Sequence, residues 1–246
     1  QHPAGDAADV LLRQLAEHVL MSILALSRGL VKADAAVRQG NWKYRETNIP
    51  HEIAGKTLLI VGLGRIGRDA AKKALAFDMR VAGFDPFVAA EQMAAIGVEK
   101  VETLDAGLAE ADYVAIQLNL TPETRGMISM EQFRRMKKTA ALINLSRGPV
   151  VDQKALYEAL RSGEIAAAAL DVFAKEPPDH TDPLFSLPNV ILTPHFGGDT
   201  YEAKQRLAKR QPGLGSIGED SSPWIRMRSR FTWMEGMGID ERSALV

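Results

Sequence analysis

The sequence predicts an α/β fold built on a doubly wound parallel sheet, and three observations carry that prediction. Short apolar runs alternate with helical segments, a glycine-rich turn directly follows the first run, and a carboxylate closes the second. The runs are Thr57–Val61, Arg80–Phe84, Tyr113–Leu118, Ala140–Leu145, Ala167–Val172 and Val190–Leu192. Helical segments fall between them near Ile66–Phe77, Val88–Ile96, Met130–Met136 and Lys154–Arg161. Runs that stay apolar, rather than alternating, belong to strands covered on both faces, as in parallel sheets with crossover helices. Right-handed crossovers then wind the chain over both faces.

Ahead of this pattern, Leu12, Leu15, Val19, Ile23 and Leu26 recur at spacings of three and four, the mark of one buried helical face. Gly29 is placed to stop that helix. A polar connection from Arg38 to Lys56, holding Trp42, Tyr44 and Pro50, reads as a loop packed on a neighbour. From Gln211 onward no period holds, and the segment reads as irregular. Its alternate Arg226, Arg228 and Arg230 read as a solvated patch, because no aromatic-plus-basic groove accompanies them.

Composition excludes several functions. The 246 residues are 46% apolar and 25% charged with a formal net charge of -1, so nothing electrostatic points to nucleic acid or an anionic membrane. The absence of cysteine removes disulfides, thiolate metal sites and a cysteine nucleophile, and fits a reducing cytoplasm. His2, His18, His51 and His180 show no metal-ligand spacing; His18, beside Glu17 on the first helix, reads as a packing residue. The N-terminus lacks the order of a secretory signal, and Val19–Leu26 is far short of a bilayer span. The expectation is a soluble, cytoplasmic protein without a metal.

The turn after the first run is Gly62-Leu63-Gly64-Arg65-Ile66-Gly67, and it opens a helix. That strand–turn–helix context is what a dinucleotide fingerprint requires. Gly62 permits the tight turn, Gly64 lets the backbone approach a pyrophosphate, and Gly67 lets the helix sit close to the strand. Unpaired N–H groups at the helix start then face the phosphates. Asp85, closing Arg80–Phe84, can accept the ribose hydroxyls and would repel a 2′-phosphate, which favours NAD over NADP.

Three ionisable residues lie at or just past the carboxyl ends of later strands, the edge where open α/β sheets bind ligands: Arg147, Glu176 and His195. Arginine offers a planar fork to a carboxylate, and histidine exchanges protons near neutral pH with a glutamate to hold it.

With these motifs in order, the chain resembles the D-isomer-specific 2-hydroxyacid dehydrogenases, which include phosphoglycerate dehydrogenase and the glyoxylate and hydroxypyruvate reductases. The resemblance runs from about Leu15 to about Arg210. Besides the glycine turn, it covers Ala16-Glu17-His18, Thr121-Pro122-Glu123-Thr124, Ser146-Arg147-Gly148, Leu170-Asp171-Val172-Phe173 and Thr193 to Gly198. It implies a Rossmann-type NAD-binding domain over 31–198, a linking helix over 1–30 as the remnant of a substrate domain, and a divergent C-terminal segment over 199–246. It implies that Arg147 grips a 2-keto acid, that His195 carries the proton, and that Glu176 pairs with His195 and favours its protonated form. Asp171 would bind the nicotinamide carboxamide, with Gly198 and backbone around Arg65, Ile66, Leu118 and Leu145 lining the cofactor. A homodimer through the first helix and the Trp42 loop is implied too. So is a second class, the family's corepressors, which bind NAD and act through partners; retention of Arg147, Glu176 and His195 disfavours it.

Three departures bear on activity. About a dozen residues precede the first helix, where the family has about a hundred; Gln117-Leu118-Asn119 replaces a segment with histidine and proline; and nothing after Arg210 resembles the family. The expectation is a chain that binds NAD but alone reduces 2-keto acids poorly, below about 1 s⁻¹.

Overall fold

The computed structural model describes residues 12–210. The segment read as irregular, with its alternate arginines, lies outside the described residues. The chain divides into two units between Gly198 and Asp199.

In the first unit, helix α1 (Leu12–Ser27) ends at Gly29, whose φ of 58° is left-handed, and α2 (Leu30–Arg38) follows at once. The polar connection contains a single turn, α3 (Tyr44–Thr47). Then come β1 (Thr57–Val61), α4 (Arg65–Ala76), β2 (Arg80–Phe84), α5 (Ala90–Ala94), β3 (Glu99–Lys100), α6 (Leu104–Glu110) and β4 (Tyr113–Ile116). The remainder is α7 (Met130–Arg135), β5 (Ala141–Asn144), α8 (Gln153–Ser162), β6 (Ala167–Leu170) and β7 (Val190–Leu192). The second unit contributes α9 (Tyr201–Arg210).

Among the described residues all seven strands are parallel, in the order β3-β2-β1-β4-β5-β6-β7. The chain winds outward from β1 in one direction, then restarts at β4 beside β1 and winds the other way. That reversal opens a crevice beyond the carboxyl ends of β1 and β4.

Strand alternation sends side chains to two cores. Leu59, Val61, Val114, Ile116, Leu142 and Leu170 meet Leu108 of α6, Phe133 of α7 and Leu156 of α8. Leu58, Ile60, Ala115, Ile143 and Ala169 meet Ala16, Val19 and Ile23 of α1 and Ala70, Ala71 and Ala74 of α4. The first helix, expected as a linker, is thus part of this core. Its alanine-rich partner α4 allows the two helices to approach closely over the sheet, and the strands are covered on both faces, as their unbroken apolar runs require.

Candidate functional site

The glycine turn lies over the crevice. Gly62 has φ 101°, and a Cβ there would stand 2.6 Å from the Gln117 carbonyl oxygen, so both conformation and space demand glycine. A Cβ on Gly67 would lie 2.2 Å from the Gly62 oxygen, so α4 can approach β1 only without one. Gly64 differs: its φ of −67° and ψ of −165° suit any residue, and a Cβ would meet nothing within 4 Å. Neither packing nor backbone explains that glycine, and the open space leaves room for a ligand. Gly64 gives α4 no side-chain cap, and a helix start of this kind favours an anion through its dipole. Arg65 and Ile66 form that first turn.

Asp85 touches this turn directly. Its Oδ2 accepts from the Leu63 N–H and its Oδ1 from the Phe87 N–H, both at 2.9 Å. Each oxygen keeps a lone pair for a ribose hydroxyl. Leu118 packs on Gly62, with Cδ2 3.0 Å from where a Cβ would stand. Beside it Nε2 of Gln117 is buried without a protein partner, an orphaned donor at the crevice wall. An open cradle at Gly64, an uncapped helix and this donor together fit a dinucleotide. Leu145 turns its side chain into the core, so only its backbone can line a cofactor.

The three ionisable residues come together through their loops. Asn144, 1% exposed, accepts from Ser146 N and Oγ and donates to the Arg147 carbonyl, shaping the turn after β5. The next residue, Gly148, presses on the loop after β6: a Cβ there would lie 1.9 Å from the Phe173 oxygen. The exposed Arg147 therefore stands beside the loop of Glu176. Glu176 accepts from the Phe173 N–H at 3.0 Å and holds Nδ1 of His195 with its other oxygen at 2.6 Å. His195 has φ 53°, a left-handed conformation that costs a non-glycine residue about 1–3 kcal/mol. Burial pushes the Glu176 carboxyl up, but the His195 hydrogen bond, the Phe173 N–H and the charges of His195 and Arg147 outweigh it and hold it below its ordinary value. A groove of about 450 Å³, walled by Phe173, Phe185, Leu192 and Pro194, adjoins the pair.

Asp171 has a further task beyond the one the resemblance implies. It is 1% exposed, and its oxygens accept from Thr193 Oγ1 and the N–H groups of Phe196 and Gly197. Oδ2 carries one of these bonds and keeps a lone pair. Gly198 is open, its carbonyl accepting from Gln14 at 3.2 Å. Sequence reasoning missed Asn144, Gly148 and Thr193, although the last two lie in the motif runs and Asn144 ends an expected strand; their signal was only proximity to charged residues. Among the described residues no group of three His, Asp or Glu could hold a metal, and no helix is long and apolar enough to cross a membrane.

A doubly wound sheet with a glycine turn at its switch point and a carboxylate closing β2 defines a dinucleotide-binding domain. The chain belongs to the D-isomer specific 2-hydroxyacid dehydrogenase family, whose NAD binding domain it matches over residues 20–197. Its cofactor is NAD. It is 43% identical to a D-3-phosphoglycerate dehydrogenase of Methanocaldococcus jannaschii over 202 residues, covering 82% of this chain and 38% of that protein. It is 44% identical to a glyoxylate reductase of Korarchaeum cryptofilum over 203 residues, covering 81% and 61%. Among solved structures, apo D-mandelate dehydrogenase of Rhodotorula graminis superposes with a TM-score of 0.76 at 29% identity, over 82% of this chain and 61% of that one. A glyoxylate reductase from Paecilomyes thermophila gives 0.74 at 32% identity, over 81% and 60%. The chain thus spans 38–61% of the length of these relatives.

Proposed function

We propose that this chain supplies the cofactor site and the proton-transfer residues of a D-2-hydroxyacid dehydrogenase, which interconverts a small 2-keto acid and its D-2-hydroxy acid. The observation that carries this reading is the 2.6 Å contact between His195 Nδ1 and Glu176 Oε2, made by a histidine held at positive φ beside the Arg147 loop. NADH, when bound, supplies the hydride for reduction. Arg147 binds the substrate carboxylate with its planar fork. With Nδ1 on Glu176, Nε2 is the nitrogen that gives the proton to the substrate oxygen in reduction and takes it in oxidation. Glu176 fixes the ring's orientation and stabilises the imidazolium. Gly62, Gly64, Arg65, Ile66, Gly67, Asp85, Leu118, Leu145, Asp171 and Gly198 line the cofactor in this reading, and residues 31–198 form its domain, with 1–30 linking it to a substrate domain.

The cysteine-free chain suits the cytoplasm, and we assign it a second copy of itself as partner. Exposed Met21, Leu30 and Phe77 border a groove of about 610 Å³ on the α1 and α4 face, apolar surface of the kind that homodimers cover. Sedimentation tests this: Met21→Lys with Phe77→Lys should leave a monomer.

Activity is tested by mixing the chain with NADH and millimolar glyoxylate or hydroxypyruvate and following NADH absorbance. His195→Gln should lower the rate about 10²–10⁴-fold and leave NAD affinity unchanged. Undiminished turnover in His195→Gln would overturn the assignment. An NAD-dependent regulator would instead show no turnover and keep its partner in that variant. The same trace shows whether the rate passes about 1 s⁻¹, an ordinary enzyme value.

A further inference from the structure

The loop that carries His195 rests on a buried polar network around Asp171, in which Thr193 and His18 have no part in the steps above. Thr193, the first residue past β7, donates its single hydroxyl proton to Asp171 Oδ1 at 2.5 Å. The Phe196 and Gly197 N–H groups, on the far side of His195, converge on the same carboxylate at 3.1 Å and 2.9 Å. One buried side chain therefore clamps the loop before and after the histidine.

With its proton given to Asp171, Thr193 Oγ1 can only accept from other groups. The atom that meets it is Nε2 of His18 on α1, 3.3 Å away. That assigns the His18 tautomer: Nε2 carries the proton. Burial lowers the His18 pKa against the opposing charge of Asp171, which keeps the ring neutral at pH 7. The ring also packs edge-on against Phe196, with centroids 5.3 Å apart. Its Nδ1 lies 3.3 Å from where a Cβ on Gly197 would stand, so a side chain at Gly197 would crowd both His18 and Asp171. His18 thus touches the loop on both sides of His195, from a helix distant in sequence.

We propose that His18, Thr193 and Asp171 form a relay that holds the His195 loop in its strained conformation, and that His18 and Thr193 are positioning residues for proton transfer. The inference rests on His195 as the proton donor. A positive φ at a non-glycine residue persists only where its surroundings over-determine it. Here those surroundings are three donors on one carboxylate, one of them held in turn by the His18 N–H. Removing the Thr193 hydroxyl leaves that N–H buried without an acceptor and takes one donor from Asp171. The loop then relaxes and the His195 ring leaves Glu176.

The test follows the ring itself, so it does not depend on turnover. Histidines are labelled with carbon-13, His195 is assigned by its loss in His195→Gln, and its signal is followed in the NAD-bound chain. Glu176→Gln marks where the signal falls when the pair is broken. Thr193→Val and His18→Phe, both close in shape to the natural residues, should move the signal toward that position, and Thr193→Ser should restore it. Turnover should fall about 10²-fold in Thr193→Val, as for a catalytic group displaced by about 1 Å. The double variant Thr193→Val, His195→Gln should be no slower than His195→Gln alone, because a relay acting only through His195 has nothing left to lose. A signal that moves in Glu176→Gln but stays fixed in Thr193→Val and His18→Phe overturns the relay. A signal that stays fixed in Glu176→Gln overturns instead the pairing on which the proton-donor assignment rests.

Discussion

Gly64→Ala separates ligand binding from folding at one atom. The added Cβ meets nothing within 4 Å, and the backbone at φ −67° and ψ −165° is ordinary for alanine. The folded state therefore accepts the change, while the unfolded chain loses freedom, so stability should hold or rise by about 0.4–1 kcal/mol. Binding should respond the other way. The methyl group would stand at the start of α4, where the proposed reading puts the pyrophosphate. Hydrogen bonds to a charged group contribute about 1.5–3 kcal/mol each, so displacing the phosphate from two of them costs about 3 kcal/mol. That is roughly a 10²-fold rise in Kd. Calorimetric titration with NAD and with ADP-ribose, beside a thermal melt, reads both effects on one sample. Wild-type affinity in Gly64→Ala, with an unchanged melt, would refute the placement of the pyrophosphate at this turn.

Other predictions follow from the same geometry. Gly67→Ala should destabilise by about 1–3 kcal/mol, an overpacking cost, since its Cβ would lie 2.2 Å from the Gly62 oxygen; denaturant melts read this directly. Asp85→Ser should raise NADP affinity relative to NAD. A carboxylate beside a 2′-phosphate repels it by up to about 4 kcal/mol at an effective dielectric of about 20, and solvent screening leaves roughly a tenfold discrimination for titration with each cofactor to detect. Glu176 has a folded pKa below its ordinary 4.5, so its interactions stabilise the fold above that value and are lost as the pH falls through the folded pKa. The difference in Tm between wild type and Glu176→Gln should therefore be present at neutral pH and close in acid.

The sheet was legible wherever an apolar run was long enough to stand out. β1, β2 and β7 fall at their expected bounds, and β4, β5 and β6 end one or two residues early, where strand gives way to loop. β3 escaped notice because Glu99–Lys100 is two residues at the sheet edge with no apolar run to mark it. α6 is seven residues long, too few for a period to declare itself. Gly29 was read as a stop, and the first helix does end at Ser27; what the sequence did not show is that α2 starts directly after this left-handed glycine. At the site, strand ends located Arg147, Glu176 and His195, but spacing alone could not pair the last two. Their contact depends on the backbone of His195, and no local pattern encodes a positive φ at a histidine. Asp171 shows the same limit. Three donors reach it from residues more than twenty positions away, a convergence only the closed loop creates.

The missing side chain at Gly148 has a consequence for anyone redesigning this domain. Because the turn bearing Arg147 lies flush against the Phe173 backbone, a shift of that turn presses on the loop that holds Glu176, which in the proposed reading couples the anchor for the carboxylate to the support of the proton donor. A pocket for a longer substrate cannot be made by sliding Arg147 outward while His195 stays still. Any shift of the first drags the second out of register. Variation in substrate length must be engineered from the opposite wall of the cleft, and libraries that randomise the Ser146–Gly148 turn should return mostly inactive clones.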